Sequence, residues 1–316
     1  MPLDTISMPH SETMQRIVSG SYVLMTAAYN EEENIEKTIE SVLLQTLLPT
    51  RWVIVSDGSV DRTNEIVRKY EKTHSFMRFL QVERVPGRSF GSKVRALRAG
   101  SDLLKGATYD FIGNLDADVS VAPSYFEDLI SRLVERPSLG LAAGFVVEEV
   151  EGEFRDRSQN RVYSVPHAAQ LVRRECYETL GGYAVLEHGG EDWHAQTCAK
   201  MKGWEVEAFP ELKIFHHRHT GEGDNVFRDR FRQGRLAYSL GSDPLFEIVK
   251  SLGRLTEKPF IIGSMTKLAG FGWSWICRDQ RPVSKDFIVF LRGEQRARLQ
   301  RSLGRLSGNR RPKHDS

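Results

Sequence analysis

Cysteine is scarce: the 316 residues contain three, Cys176, Cys198 and Cys277. They lie far apart and without metal-ligand spacing, which excludes a disulfide framework and fits free thiols in a reducing compartment. The first stretch, Met1 to Gly20, lacks the apolar core of a signal peptide. A cytoplasmic protein is the expectation. An excess of one charge is also missing. The net charge is +2, so overall charge gives no reason to expect a nucleic-acid partner. No uninterrupted apolar run is long enough to cross a bilayer, which takes ~20 residues. The most apolar stretch, Pro259 to Cys277, begins with proline and contains Lys267 and Gly263, Gly270 and Gly272. It is expected to pack on the core or lie at an interface. There is no internal repeat and no low-complexity segment.

What the chain does have is alternation. Tyr22 to Ala28, Trp52 to Val55 and Tyr109 to Ile112 read as apolar runs of strand length, and Met77 to Val82 as a further strand. Between them fall segments with helical spacing: about Asn30 to Thr46 (Ile35, Ile39, Val42, Leu43), Asn64 to Lys72, and Val94 to Leu104. Asn30 is expected to cap the first helix, with Glu31, Glu32 and Glu33 in its positive first turn. Strand–helix alternation is the signature of an α/β, Rossmann-like, doubly wound, mostly parallel sheet with helices on both faces. Ligands of such sheets bind beyond the carboxyl ends of the strands. Tyr29, Asp57, Lys93 and Asp116 all fall there.

Asp116-Ala117-Asp118 ends the fourth strand. Two carboxylates with one small residue between them form a hard oxygen site suited to Mg²⁺ or Mn²⁺ shared with a diphosphate. Taken alone, such a pair more often faces water. Asp57 offers only acceptors and can select a base edge that donates; its plainer role is shaping the turn before the second helix. Asp61 is expected to shape that turn. Lys93 opens a helix after the loop from Pro86, a place for a diphosphate or for a solvated surface lysine. Arg88 and Arg95 are weaker candidates. Glu191 and Asp192 follow Gly189-Gly190 and precede a helix, where an acidic pair caps the first turn or takes part in chemistry. His216-His217-Arg218-His219 has no Cys or His cluster to complete a zinc tetrahedron, so structural zinc is rejected.

YNEEENIEKTIESVLLQT, VSDGSVDRT, the Gly-Ser-Lys loop, LDAD, RRECYETLGGY and GGEDWH occur in this order. From Tyr22 to Gly221 the chain thereby resembles family 2 glycosyltransferases of the GT-A fold. Departures from the family pattern are Ala27, Ser56 and Arg98, where relatives often have Pro, Asp and Asn. The resemblance implies a domain over residues 20–222, with a nucleotide-sugar half at about 20–120 and an acceptor half at about 121–222. It implies an inverting, metal-dependent transfer from a nucleotide-diphosphate sugar, UDP- or another pyrimidine-linked donor, to a hydroxyl of a glycan or lipid-linked glycan. By the same resemblance Ala27, Tyr29, Glu31, Asp57, Lys93 and Asp116 hold the donor. Asp116, Asp118 and His216 hold Mg²⁺ or Mn²⁺, with His217 the second choice. Asp192 is the base, and Glu191 and Trp193 meet the acceptor. The rival readings are a sugar nucleotidyltransferase and a membrane-docked module that binds nucleotide-sugar without turnover.

Residues 223–316 read as a helical, basic and aromatic appendage. Phe227, Phe231, Leu236 and Tyr238 are interleaved with Arg228, Arg230, Arg232 and Arg235. Thr220 to Asn225, polar and glycine-rich, reads as a lid or a linker. Arg173 and Arg174 read as solvated. From Arg292 onward seven arginines and a lysine face two acids. Basic residues beside an aromatic segment suit an anionic membrane surface, at ~1 kcal/mol per cation, so the expected place is peripheral on the inner face of the membrane.

Overall fold

The computed structural model describes residues 20–84, 91–150, 152–157, 159–218, 226–253 and 260–308. The expected loop from Pro86 with Arg88, His219, and the Thr220 to Asn225 segment lie outside the described residues.

One mixed sheet organises the domain, in the order β3-β2-β1-β4-β8-β6-β9-β5, with β7 paired to β6. Its first half is parallel: β1 (Tyr22–Ala28) lies between β2 (Arg51–Asp57) and β4 (Phe111–Leu115), and β3 (Met77–Val82) extends β2. β1, β2 and β4 are almost wholly buried on both faces, which is why they read as largely apolar runs, whereas the edge strand β3 buries only Met77. Helices α1 (Ile35–Leu43), α2 (Thr63–Glu71) and α3 (Ser92–Asp102) make the crossovers. Gly100 lets α3 sit tightly on the sheet, since a Cβ there would come 2.9 Å from Val55 Cγ2.

The second half mixes directions. β8 (Ala169–Arg173) is antiparallel to β4 and to β6 (Leu139–Val150). β9 (Glu205–His216) is parallel to β6, and the short β5 (Val119–Val121) pairs antiparallel with β9. The pairing of Val119 with His216 brings the far end of β9 back beside the Asp116–Asp118 turn. The hairpin strand β7 (Glu153–Asp156) is exposed. Helices α4 (Tyr125–Glu135), α5 (Arg174–Leu180) and α6 (Glu191–Met201) complete this half.

The first helix differs from the sequence expectation. It starts at Ile35, not at Asn30. Asn30 takes the left-handed conformation at φ 52°, which asparagine tolerates better than most residues. Its Oδ1 accepts the Val60 N–H at 3.0 Å, stitching the ends of β1 and β2 together. Asp61 shapes the next turn as expected, accepting from Thr63 N–H and Glu32 N–H, each at 3.0 Å.

The carboxyl-terminal region is helical: α7 (Val226–Ser239), α8 (Pro244–Leu252), α9 (Phe260–Ile276) and α10 (Lys285–Gly308). α7 and α9 cross at backbone distance. A Cβ on Gly234 would lie 1.9 Å from the Lys267 carbonyl oxygen, and one on Gly270 would lie 2.0 Å from that of Phe231. A small second core of Leu186, Leu240, Phe287 and Leu291 joins this region to the domain. No described helix is long and apolar enough to cross a membrane.

Candidate active site

A cavity of about 340 Å³ opens at the carboxyl ends of the parallel strands. β1 supplies Ala27 and Ala28 and then Tyr29 and Glu31; β2 ends in Asp57; the turn after β4 brings Asp116, Ala117 and Asp118. Ser92 and Lys93 enter from the start of α3, and Glu191 from the start of α6. Arg84 and Arg218 complete the wall. Six of the residues expected to hold donor, Ala27, Tyr29, Glu31, Asp57, Lys93 and Asp116, thus share one cavity with Asp118 and Glu191.

At one end stand Tyr29, Arg84 and Asp57. The Arg84 guanidinium lies 3.4 Å from the centre of the Tyr29 ring, and its Nη1 lies 3.3 Å from Asp57 Oδ2. Asp61, not Asp57, accepts the Thr63 N–H at the start of α2, and Asp57 lines the cavity.

The middle carries paired charge. Lys93 Nζ donates to Asp116 Oδ1 at 2.6 Å, and Asn114 Nδ2 supports the same oxygen at 3.1 Å. Desolvation alone would lower the Lys93 pKa, but Asp116 and Glu191 outweigh it and raise it. Burial raises the Asp116 pKa, with Asp118 adding to the effect against the pull of Lys93. Arg218 Nη2 donates to Glu31 Oε2 at 2.7 Å across the cavity. Burial, followed by the charge of Asp118, pushes the Glu31 carboxyl up to about 7.

His216 Nε2 sits 3.4 Å from Asp118 Oδ2. Burial disfavours the Asp118 carboxylate, but the His216 hydrogen bond and nearby cations outweigh it and lower its pKa. His217 turns elsewhere: its Nε2 lies 2.9 Å from Ser120 Oγ and its ring meets Phe154 edge-on. No three His, Cys, Asp or Glu side chains gather as a metal cluster among the described residues. The chain does offer an adjacent carboxylate oxygen and imidazole nitrogen, while His216 Nδ1 on the far side of the ring is buried, makes no hydrogen bond and lies 4.0 Å from Glu148 Oε1. Asp118 and His216 would suit one Mg²⁺ or Mn²⁺, which accepts carboxylate and imidazole ligands. Asp116, expected in the same set, has one oxygen engaged by Lys93.

The acidic turn is held by two glycines at positive φ, Gly189 at 78° and Gly190 at 85°. Leu236 of α7 packs on Gly190, where a Cβ would come within 2.8 Å of it. Glu191 lines the cavity; Asp192, expected as the base, is not among its lining residues, and its Oδ1 accepts the Trp193 N–H at 2.7 Å. Burial, then the charge of Glu191, pushes the Asp192 carboxyl up to about 6. Trp193 packs against the second core rather than on the cavity wall. Arg98 and Arg173 are structural: they donate to backbone carbonyls of Tyr183 and of Leu139.

Arg84 and Arg218 escaped the sequence reading. Both sit just past strand ends, β3 and β9, where the strand-end rule that picked out Asp57 and Asp116 applies equally.

The sequence profile of "Glycosyl transferase family 2" matches residues 24–186. Among curated proteins, the poly-beta-1,6-N-acetyl-D-glucosamine synthase of Staphylococcus epidermidis is 34% identical over 146 residues, 45% of this chain and 32% of that protein. The synthase of the same name from Staphylococcus aureus strain COL is 34% identical over 163 residues, 50% of this chain and 35% of that protein. The match spans about a third of the length of these relatives. Two solved structures share the fold. S. aureus TarS 1-349 in complex with UDP-GlcNAc superposes with a TM-score of 0.52 at 16% identity, covering 71% of this chain and 67% of that one. The mannosyltransferase PcManGT from Pyrobaculum calidifontis, in complex with GDP-Man and Mn²⁺, gives 0.53 at 18% identity, covering 89% and 81%. The sheet and its helices are those of a GT-A fold, and a helical carboxyl-terminal region follows them.

Proposed function

The chain belongs to glycosyl transferase family 2, and from that premise we propose that it is an inverting, metal-dependent glycosyltransferase. The donor is a nucleotide-diphosphate sugar, UDP- or another pyrimidine-linked one, and the acceptor is a hydroxyl of a glycan or lipid-linked glycan at the inner face of a membrane. The observation that carries this reading is the single cavity shared by Asp57, Lys93, Asp118 and Glu191.

Asp57 and Tyr29 take the base, with Arg84 turning from Asp57 onto the ligand. Lys93 and Arg218 supply positive charge along the diphosphate. Asp118 and His216 hold Mg²⁺ or Mn²⁺, which when bound neutralises negative charge on the departing diphosphate. Asp192 accepts the proton of the acceptor hydroxyl. That oxygen bonds to the anomeric carbon from the face opposite the diphosphate, the bond from this carbon to the phosphate oxygen breaks, and the nucleoside diphosphate leaves. The anomeric configuration inverts. A carboxyl with a pKa of about 6 remains mostly ionised at neutral pH and is basic enough for this task.

Thermal unfolding with a panel of nucleoside diphosphates, with and without Mn²⁺, tests the reading. Binding to the folded state raises the midpoint. A rise with UDP that needs Mn²⁺ is expected, and no rise with any nucleotide would contradict it. Release of pyrophosphate from a nucleoside triphosphate and a sugar phosphate would favour nucleotidyl transfer instead.

A further inference from the structure

Helices α8 and α9 are inside out. In α8, Glu247 and Ser251 point inward, with Glu247 only 1% exposed, while Leu245, Ile248, Val249 and Leu252 form an outward stripe at helical spacing. In α9, Ser264, Lys267 and Ser274 are buried alongside Phe271, while Ile261, Ile262, Met265, Trp273, Trp275 and Ile276 are exposed, Ile276 to 78%. The buried groups satisfy one another: Lys267 Nζ donates to Glu247 Oε2 at 2.5 Å, and Ser264 Oγ donates to the Ser251 carbonyl at 2.9 Å. A water-facing helix pair puts its apolar side inward. This pair presents much of its apolar surface outward.

We propose that this face docks on an anionic lipid bilayer. Four features favour lipid as its occupant. Trp273 and Trp275 suit the boundary between headgroup and hydrocarbon, where an apolar ring with a polar N–H is at home. The Gly234–Gly270 crossing of α7 and α9, with polar bonds between helices, is how helices associate when their surroundings are apolar. The face carries no negative charge: α9 has no acid, and the one acid of α8 is the buried Glu247. Cations border it instead, Lys250 beside the Phe246 ring and the exposed Arg278 at the end of α9. At 17 residues α9 is ~25 Å long, so it lies along the surface rather than crossing it. α7 touches both regions, packing on α9 through Gly234 and on the acidic turn through Leu236. The inference rests on the orientation of two helices and not on the sugar-transfer reading.

The test is flotation of the full chain with vesicles of phosphatidylcholine alone or mixed with phosphatidylglycerol. The wild-type chain should float with the mixed vesicles and its tryptophan emission should shift to the blue. The double variant Ile262→Glu/Trp275→Glu should lose binding about tenfold or more, with unchanged thermal unfolding and UDP binding. No flotation of the wild type, or equal flotation of the variant, overturns the proposal. A wild-type dimer in light scattering that the variant converts to monomer, without vesicle binding, also overturns it by making a second copy the occupant. Loss of UDP binding alone would strike the functional reading and leave this one intact.

Discussion

His216 Nε2 meets Asp118 Oδ2 at 3.4 Å because the register of β5 on β9 places His216 opposite Val119. This short strand pairing thereby brings a nitrogen and an oxygen together from distant parts of the chain. If they hold the cation, Asp118→Asn or His216→Ala should lower transfer by about a hundredfold or more. Chelation of the wild type should abolish activity, and added Mn²⁺ should restore it. Full activity in His216→Ala at unchanged Mn²⁺ demand would count against this ligand pair.

Asp57 offers the base a charged acceptor at the end of β2. A hydrogen bond to a charged group contributes ~1.5–3 kcal/mol, so Asp57→Ala should weaken UDP binding by about tenfold to a hundredfold. The discrimination between uridine and adenosine diphosphates should narrow with it. Titration calorimetry with both nucleotides measures this, and unchanged discrimination would remove Asp57 from base recognition.

The pH dependence follows from Asp192. Its carboxyl is pushed up to about 6, so the ionised form needed to accept a proton is lost as pH falls through that value. With donor and metal saturating, transfer should fall about tenfold per pH unit below ~6 and level off above ~7. A rate that stays flat down to pH 5 would mean that another group takes the proton.

Gly234 and Gly270 have no room for a side chain, since each added Cβ would meet a carbonyl oxygen at 1.9 or 2.0 Å. Overpacking of this kind costs ~1–3 kcal/mol, so Gly234→Ala should lower the thermal midpoint by several degrees. Gly272, with open space around the added Cβ, serves as the control and should tolerate alanine at much smaller cost.

Much of the parallel half was legible because buried parallel strands leave unbroken apolar runs, and because the strand-end rule fixes where their ligands sit. Met77–Val82 emerged with the expected bounds. Asn30 misled: a polar residue before a helical pattern reads as a cap, while its left-handed φ and its bond to Val60 are tertiary facts. The Glu31–Arg218 pair joins residues from opposite ends of the domain, which local pattern does not reveal. Helices α8 and α9 show the limit most clearly. Periodicity tells which residues share a face, and only the Glu247–Lys267 contact tells that the polar face is the inner one.

The most direct measurement compares wild type with Asp192→Asn in two assays on the same preparation, donor binding by calorimetry and acceptor-dependent release of nucleoside diphosphate. The variant is expected to bind UDP with Mn²⁺ as tightly as wild type and to release product at least ~100-fold more slowly. Release at the wild-type rate would contradict the assignment of the base.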